Sequence, residues 1–136
     1  MAIEYVDSPE GISADQLHGF FVGWTNPPTP EKHLELLKSS DEVVLALDTE
    51  NGNVVGFITA ITDNVLAAYI PLLEVLPEYQ NRQIGKTLVE KMLARLSRYY
   101  MVDLLCDMDL QPFYEKFGMY RATGMFFRNY DKQSGR

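Results

Sequence analysis

The segment from Pro71 to Lys86 constrains this chain more than any other, because an extended apolar run there passes through a polar turn directly into an amphipathic helix. Tyr69, Ile70, Pro71, Leu72, Leu73, Val75 and Leu76 form a run interrupted only by Glu74, which predicts a central strand covered on both faces. Ile84, Leu88, Val89, Met92, Leu93 and Leu96 then recur at intervals of three and four, opposite Lys86, Glu90, Lys91 and Arg98. That is the pattern of a helix laid against a sheet. The turn between them leaves backbone N–H groups free at a helix start, so it is ready to hold an anion. On this local pattern it is equally an ordinary strand-to-helix connection, since Gly85 is its only glycine.

Length and composition narrow the classes. A chain of 136 residues with 46% hydrophobic and 23% charged residues is expected to be a single domain, 1–136, with a real core and disorder confined to the tail from Asp131 to Arg136. Nineteen acidic against twelve basic residues give a formal charge of −7, which argues against nucleic acid as a partner and favours a cationic or amine one. The one cysteine, Cys106, lies in an apolar run; it excludes an internal disulfide and reads as a small buried hydrophobe. No apolar stretch approaches the ~20 residues of a membrane span, and Met1 to Glu4 lacks a basic region followed by an apolar one. No membrane contact is expected, and the expected location is cytoplasmic. No His, Cys, Asp and Glu stand at metal-ligand spacing, so no metal is expected.

The remaining elements alternate as a mixed α/β domain requires. Ile3 to Val6 is a short strand, and Ser13 caps a helix through Gln16 whose apolar side is Leu17, Phe20 and Phe21, weakened by Gly19 and Gly23. After the stiff loop from Trp24 to Pro30, Thr29 caps a second helix with Pro30 in its first position and Leu34 and Leu37 inward. His18 and His33 are expected on exposed polar faces. Val43 to Leu47 and Val54 to Ile61 flank the turn dipeptide Asn51 and Gly52, and Val65 to Leu76 adds a third antiparallel strand. Pro71 predicts a bulge or splay within it. A strand over Met101 to Cys106, a short helix over Pro112 to Phe117 capped by Gly118, and a last strand over Arg121 to Tyr130 complete the order.

Two motifs in this order carry a resemblance. Gln80, Gln83 and Gly85 are similar to the acyl-CoA signature of the GNAT superfamily of N-acetyltransferases, which is Arg or Gln, two residues, Gly, one residue, then Gly or Ala; Gln83 stands where that pattern has its first glycine. Pro112 to Tyr120 resembles the Phe-Tyr-x-x-x-Gly-Phe segment of the same superfamily. The resemblance implies an acyl-CoA N-acyltransferase-like fold: a central mixed, mostly antiparallel sheet with flanking helices and a splayed parallel strand pair. It also implies an acetyl-CoA-dependent N-acetyltransferase, monomer or homodimer, that transfers directly to the amine of a small molecule or protein. The alternative is a non-catalytic acyl-CoA-binding or regulatory module.

Site residues follow from the same resemblance. The amides of Arg82, Gln83, Ile84, Gly85 and Lys86, after a turn made by Gln80 and Asn81, would hold the pyrophosphate. If the backbone at position 83 stays in the ordinary α region, Gln83 adds only crowding. Main-chain groups of Leu73 and Val75 would hold the pantetheine arm, and Tyr114 would act as general acid toward the departing thiolate. A phenol of pKa ~10 against a thiol of ~8.5 suits that role. Glu74 is a candidate base or orienting group. Phe20, Phe21 and Trp24 offer an apolar wall for the acceptor, and Asp107 and Asp109 an attraction for its charge. Cys106 has no evident base beside it, which argues against an acetyl-cysteine route.

Overall fold

A computed structural model of the chain describes residues 2–136. Its sheet has five strands in sequential order: β1 (Ile3–Val6), β2 (Glu42–Asp48), β3 (Val54–Thr62), β4 (Ala67–Val75) and β5 (Met101–Asp103). The first four are antiparallel neighbours, and β5 runs parallel to β4. The helices are α1 (Pro30–Ser39), α2 (Ile84–Arg95) and α3 (Gln111–Glu115). Among the described residues no helix is long and apolar enough to cross a membrane.

The core forms where the apolar stripe of α2 meets β2 and β3. Ile84, Leu88, Val89 and Met92 are buried against Val43 to Ala46 and Val54 to Ala60, as the helical spacing predicts. Thr59 to Ile61 of β3 spans one residue where Leu72 to Tyr69 of β4 spans two. The extra residue falls at Ile70 and Pro71, so the bulge predicted from the proline is present. Beyond it the strands part. The β4–β5 ladder stops at Tyr69 opposite Asp103, and Ile70 to Val75 have no partner on that side.

Three expectations fail, each for a local reason. The helix after Ser13 is only a 3-10 turn, Ala14–Gln16, with Gln16 Oε1 accepting from the Ser13 N–H at 2.8 Å. Gly19, Phe21 and Gly23 all take positive φ (93°, 63° and 84°), which no helix accommodates. The strand expected over Met101 to Cys106 ends at Asp103, so Cys106 lies outside the sheet and is half-exposed rather than buried. The last strand, Arg121 to Tyr130, does not form: those residues are all exposed and join no strand of the sheet, whose edge strand β5 is only three residues long. The tail after them is docked. Tyr130–Lys132 makes a 3-10 turn, and Gln133 Oε1 accepts from the Asn26 N–H at 2.8 Å.

His33 is a fourth correction. The Thr29 cap and Pro30 start α1 as expected, with Thr29 Oγ1 accepting from the Lys32 N–H at 3.1 Å. That phase turns His33 inward, where it is 1% exposed among Phe20, Phe21 and Phe57 and neither ring nitrogen meets a hydrogen-bond partner. Burial in this aromatic box pushes its pKa from the ordinary 6.5 down to about 4. The unfolded chain therefore takes up the proton first as pH falls; the stability His33 contributes is whole above pH 6.5 and is lost toward pH 4. His33→Leu should leave stability at pH 7 equal or higher and remove on the order of 2 kcal/mol of the loss between pH 6.5 and 4.5. Urea unfolding at several pH values measures this. Superimposable acid limbs for the two proteins would refute it.

Candidate functional site

The polar turn between β4 and α2 is built from unusual backbone. A 3-10 turn at Pro77–Tyr79 closes the strand, and Asn81 and Gln83 then both take left-handed conformations, φ 64° and 66°. Alternating handedness of this kind gathers successive N–H groups into a concave nest. The first intrahelical bond of α2 runs from the Thr87 N–H to Gln83 O at 3.0 Å, so Ile84, Gly85 and Lys86 point their N–H groups out of the helix start with no carbonyl to receive them. The helix dipole adds partial positive charge at the same place.

Position 83 reverses one expectation. Its backbone is left-handed, not in the α region, and this is the physical reason a glycine suits the place: the side chain of Gln83 strains the turn rather than merely crowding it. Gly85 is the opposite case. Its φ is ordinary, and a Cβ there would meet only Val75 Cγ2 at 3.8 Å and Phe113 Cζ at 4.0 Å. The fold itself does not need glycine at 85. A Cβ there would rest in ordinary contact between the end of β4 and α3.

Side chains secure the turn from three directions. Tyr79 donates its hydroxyl to Asp48 Oδ2 at 2.6 Å, and Asp48, buried at the end of β2, also accepts from the Glu50 N–H at 2.9 Å. The Tyr79 hydroxyl holds the Asp48 carboxyl below the usual carboxylate range, and the carboxylate raises the Tyr79 phenol in return. Gln80 Nε2 donates back to Val75 O at 3.0 Å, which ties the turn to the strand it leaves. The Arg82 guanidinium lies over the Tyr79 ring, 5.6 Å from its centre. Lys86 pairs with Glu90 at 2.9 Å, an exposed pair one helical turn apart. The Tyr79 to Asp48 latch is absent from the sequence reading, where Asp48 is only a residue beside a hairpin turn. Nothing in the local pattern links positions 31 residues apart.

Tyr114 stands on α3, half-buried, with its ring edge-on to Phe113 at 4.9 Å. Burial, with the nearby Cys106 sulfur second, pushes its phenol up to about 12. It therefore keeps its proton throughout the neutral range and serves as a donor. Burial and the charges of Asp107 and Asp109 also raise the Cys106 thiol, which leaves it a poor nucleophile.

Glu74 works across the molecule. Its Oε1 accepts from the Phe21 N–H at 2.8 Å and its Oε2 from the Val22 N–H at 3.2 Å. Both oxygens are engaged in holding the left-handed bend of the loop onto β4. Phe21 and Trp24, 4.8 Å apart, line a cavity of about 330 Å³ with Leu36 and Leu72, and the docked tail closes one side through Lys132 and Gln133. Phe20 is not in that lining; it packs in the core against Phe57. Asp107 and Asp109 lie on the exposed stretch after β5, away from the cavity. Among the described residues no group of three His, Cys, Asp or Glu is placed to hold a metal.

The strain at position 83 is measurable. Gln83→Gly should stabilise the fold by about 1 kcal/mol, since the left-handed conformation carries no penalty for glycine. That corresponds to roughly 4 °C in Tm. An unchanged or lower Tm would show that the Gln83 side chain makes a compensating contact.

Known proteins resemble the chain over nearly its whole length. The family model described as the acetyltransferase (GNAT) family matches residues 10–119. A candidate acetyltransferase from Deinococcus radiodurans R1, a crystal structure, superposes with TM-score 0.93 and 45% sequence identity, covering 97% of this chain and 92% of that one. A GNAT-family acetyltransferase from Streptococcus pneumoniae superposes with TM-score 0.75 at 30% identity, covering 94% and 98%. The uncharacterized N-acetyltransferase ycf52 of Pyropia yezoensis is 26% identical over 132 residues, 90% of this chain and 76% of that protein.

Proposed function

The chain belongs to the GNAT acetyltransferase family and is an N-acetyltransferase, and we propose that its donor is acetyl-CoA, held by the turn at the start of α2, and its acceptor a small-molecule amine bound in the cavity beside Trp24. One observation carries this reading: the nest of N–H groups opens at the end of the strand that leaves the sheet, so an anion-binding end and an unpaired main-chain edge are continuous. Gly85 supports it further, because the fold does not require a glycine there and a close-lying ligand does.

In this assignment the amides of Gln83 to Lys86, with the Arg82 side chain, take the pyrophosphate, and Gln80 and Asn81 shape the turn. The main chain of Leu73 and Val75 receives the extended arm. The carbonyl of Val75 already accepts from Gln80, which leaves its second lone pair for a ligand amide. Bound acetyl-CoA supplies an activated acetyl thioester. Tyr114 would act as the acid toward the departing sulfur, its hydroxyl holding the proton through the neutral range and drawing a replacement from solvent once the thiol has formed. Glu74 is the orienting group rather than the base: its two oxygens fix the loop that carries Phe21 and Trp24 against β4. The acceptor amine loses its proton to solvent, and the apolar walls of Phe21, Trp24 and Leu72 suit an acceptor with an apolar body.

Two variants separate binding from chemistry. Gly85→Val adds a β-branched side chain at the start of α2 and should weaken acetyl-CoA binding at least tenfold, about 1.4 kcal/mol, in titration calorimetry, with Tm unchanged; undiminished affinity removes the turn from the site. Tyr114→Phe should lower turnover about 10²-fold, followed as thiol release with an amine identified by panel screening, while acetyl-CoA affinity stays within twofold. A loss wholly in affinity, or none at all, would make Tyr114 a packing residue.

A further inference from the structure

The overall charge of −7 favours a cationic partner, but the cavity beside Trp24 carries the opposite sign. Around its apolar walls lie three charged side chains, Lys32, Glu35 and Lys132. Lys32 gives its ammonium to Glu35 at 2.7 Å, so those two charges cancel. Lys132 has no carboxylate partner among the described residues, and two ammonium groups against one carboxylate leave the lining with a single positive charge. The acidic residues that could draw in a cation do not offset it. Glu74 spends both oxygens on the Phe21 and Val22 amides, at 2.8 and 3.2 Å, and Asp107 and Asp109 are outside the lining. The backbone that carries Lys132 is fixed from two sides. Gln133 Oε1 accepts from the Asn26 N–H at 2.8 Å, and Gly135 lies so close to the Lys32 stem that a Cβ there would stand 3.2 Å from Lys32 Cγ. Between them the Gly135 N–H donates to Lys132 O at 3.0 Å, which closes the turn that brings Lys132 to the cavity.

We propose that the acceptor carries a carboxylate as well as its amine, on a compact apolar body, and that Lys132 receives that carboxylate. This rests on the cavity being the acceptor site. Size, surface and charge each narrow the class. At about 330 Å³ the cavity is at the small end of ligand pockets, which run from about 300 to 1,000 Å³, so it takes one small body rather than a length of polypeptide. The rings of Phe21 and Trp24, 4.8 Å apart, offer that body aromatic surface. An ammonium has three donors and no acceptor, and beside apolar walls its attraction for an anion is stronger than in bulk water. A carboxylate brings one negative charge and balances Lys132, whereas a phosphate brings about −1.5 to −2 and leaves an excess in the cavity. The two ends of the acceptor are taken by different elements. Leu72 belongs to the strand along which the donor's arm would lie, so the amine is presented there, and Lys132 holds the carboxylate from the tail.

Trp24 is the only tryptophan of the chain and lines the cavity, so its fluorescence reads occupancy without any turnover. With coenzyme A saturating, 4-(aminomethyl)benzoate should bind at least tenfold tighter than benzylamine, which has the same ring and amine without the carboxylate. On the unaltered chain that advantage should shrink as salt is raised. It should fall below about threefold in Lys132→Met and return in Lys132→Arg, which restores the charge. Equal affinities for the two ligands overturn the proposal and leave the acceptor cavity standing; so does a preference that survives in folded Lys132→Met. A Trp24 signal that neither ligand moves overturns the cavity reading, and the carboxylate with it.

Discussion

The proposed site depends on β4 and β5 pairing for three residues and then separating. Proline at 71 has no N–H to give, and the residue inserted beside it bends the strand and increases its twist. Had the ladder continued past Tyr69, the outward main-chain groups of Leu73 and Val75 would be consumed by β5, and no free edge would lead to the start of α2. The same departure places the start of α2 at the mouth of the opening, because the turn follows directly from the last residue of β4.

The splayed strand also anchors the parts on either side of it. At its end, Gln80 binds the Val75 carbonyl and Tyr79 reaches across to buried Asp48, so the left-handed residues of the turn are held from the strand and from the far hairpin at once. One residue back, Glu74 grips two amides of the loop that carries Phe21. A single strand thus sets the position of the anion nest and of the aromatic cavity. Local backbone strain of about 1–2 kcal/mol per left-handed residue persists at Gln83 and Phe21 because this surrounding structure over-determines it, whereas asparagine at 81 tolerates the conformation.

The cavity has a second dependence. Its tail wall, Lys132 and Gln133, follows the exposed arm immediately in sequence, so whatever fixes the arm also fixes that wall. Docking by Gln133 onto the Asn26 amide holds the tail within the chain. Among the described residues the stretch 119–128, just before that docking point, makes no backbone–backbone hydrogen bond.

Periodicity and turn chemistry were enough to read the four antiparallel strands, the amphipathic helix α2, the bulge at Pro71 and the polar turn, because each rests on neighbours within a few residues. The family resemblance likewise rested on short local motifs. Other features depended on contacts distant in sequence and needed the tertiary structure. The phase of α1 relative to the sheet, not its polarity, buried His33. The left-handed backbone at Gln83 and the Tyr79 to Asp48 latch beside it emerged only in the folded turn, and Glu74 found its partners 52 and 53 residues away. The arm from Arg121 to Tyr130 has the composition of a strand, but a strand exists only where another edge offers hydrogen bonds, and that edge is a matter of three-dimensional arrangement rather than of sequence.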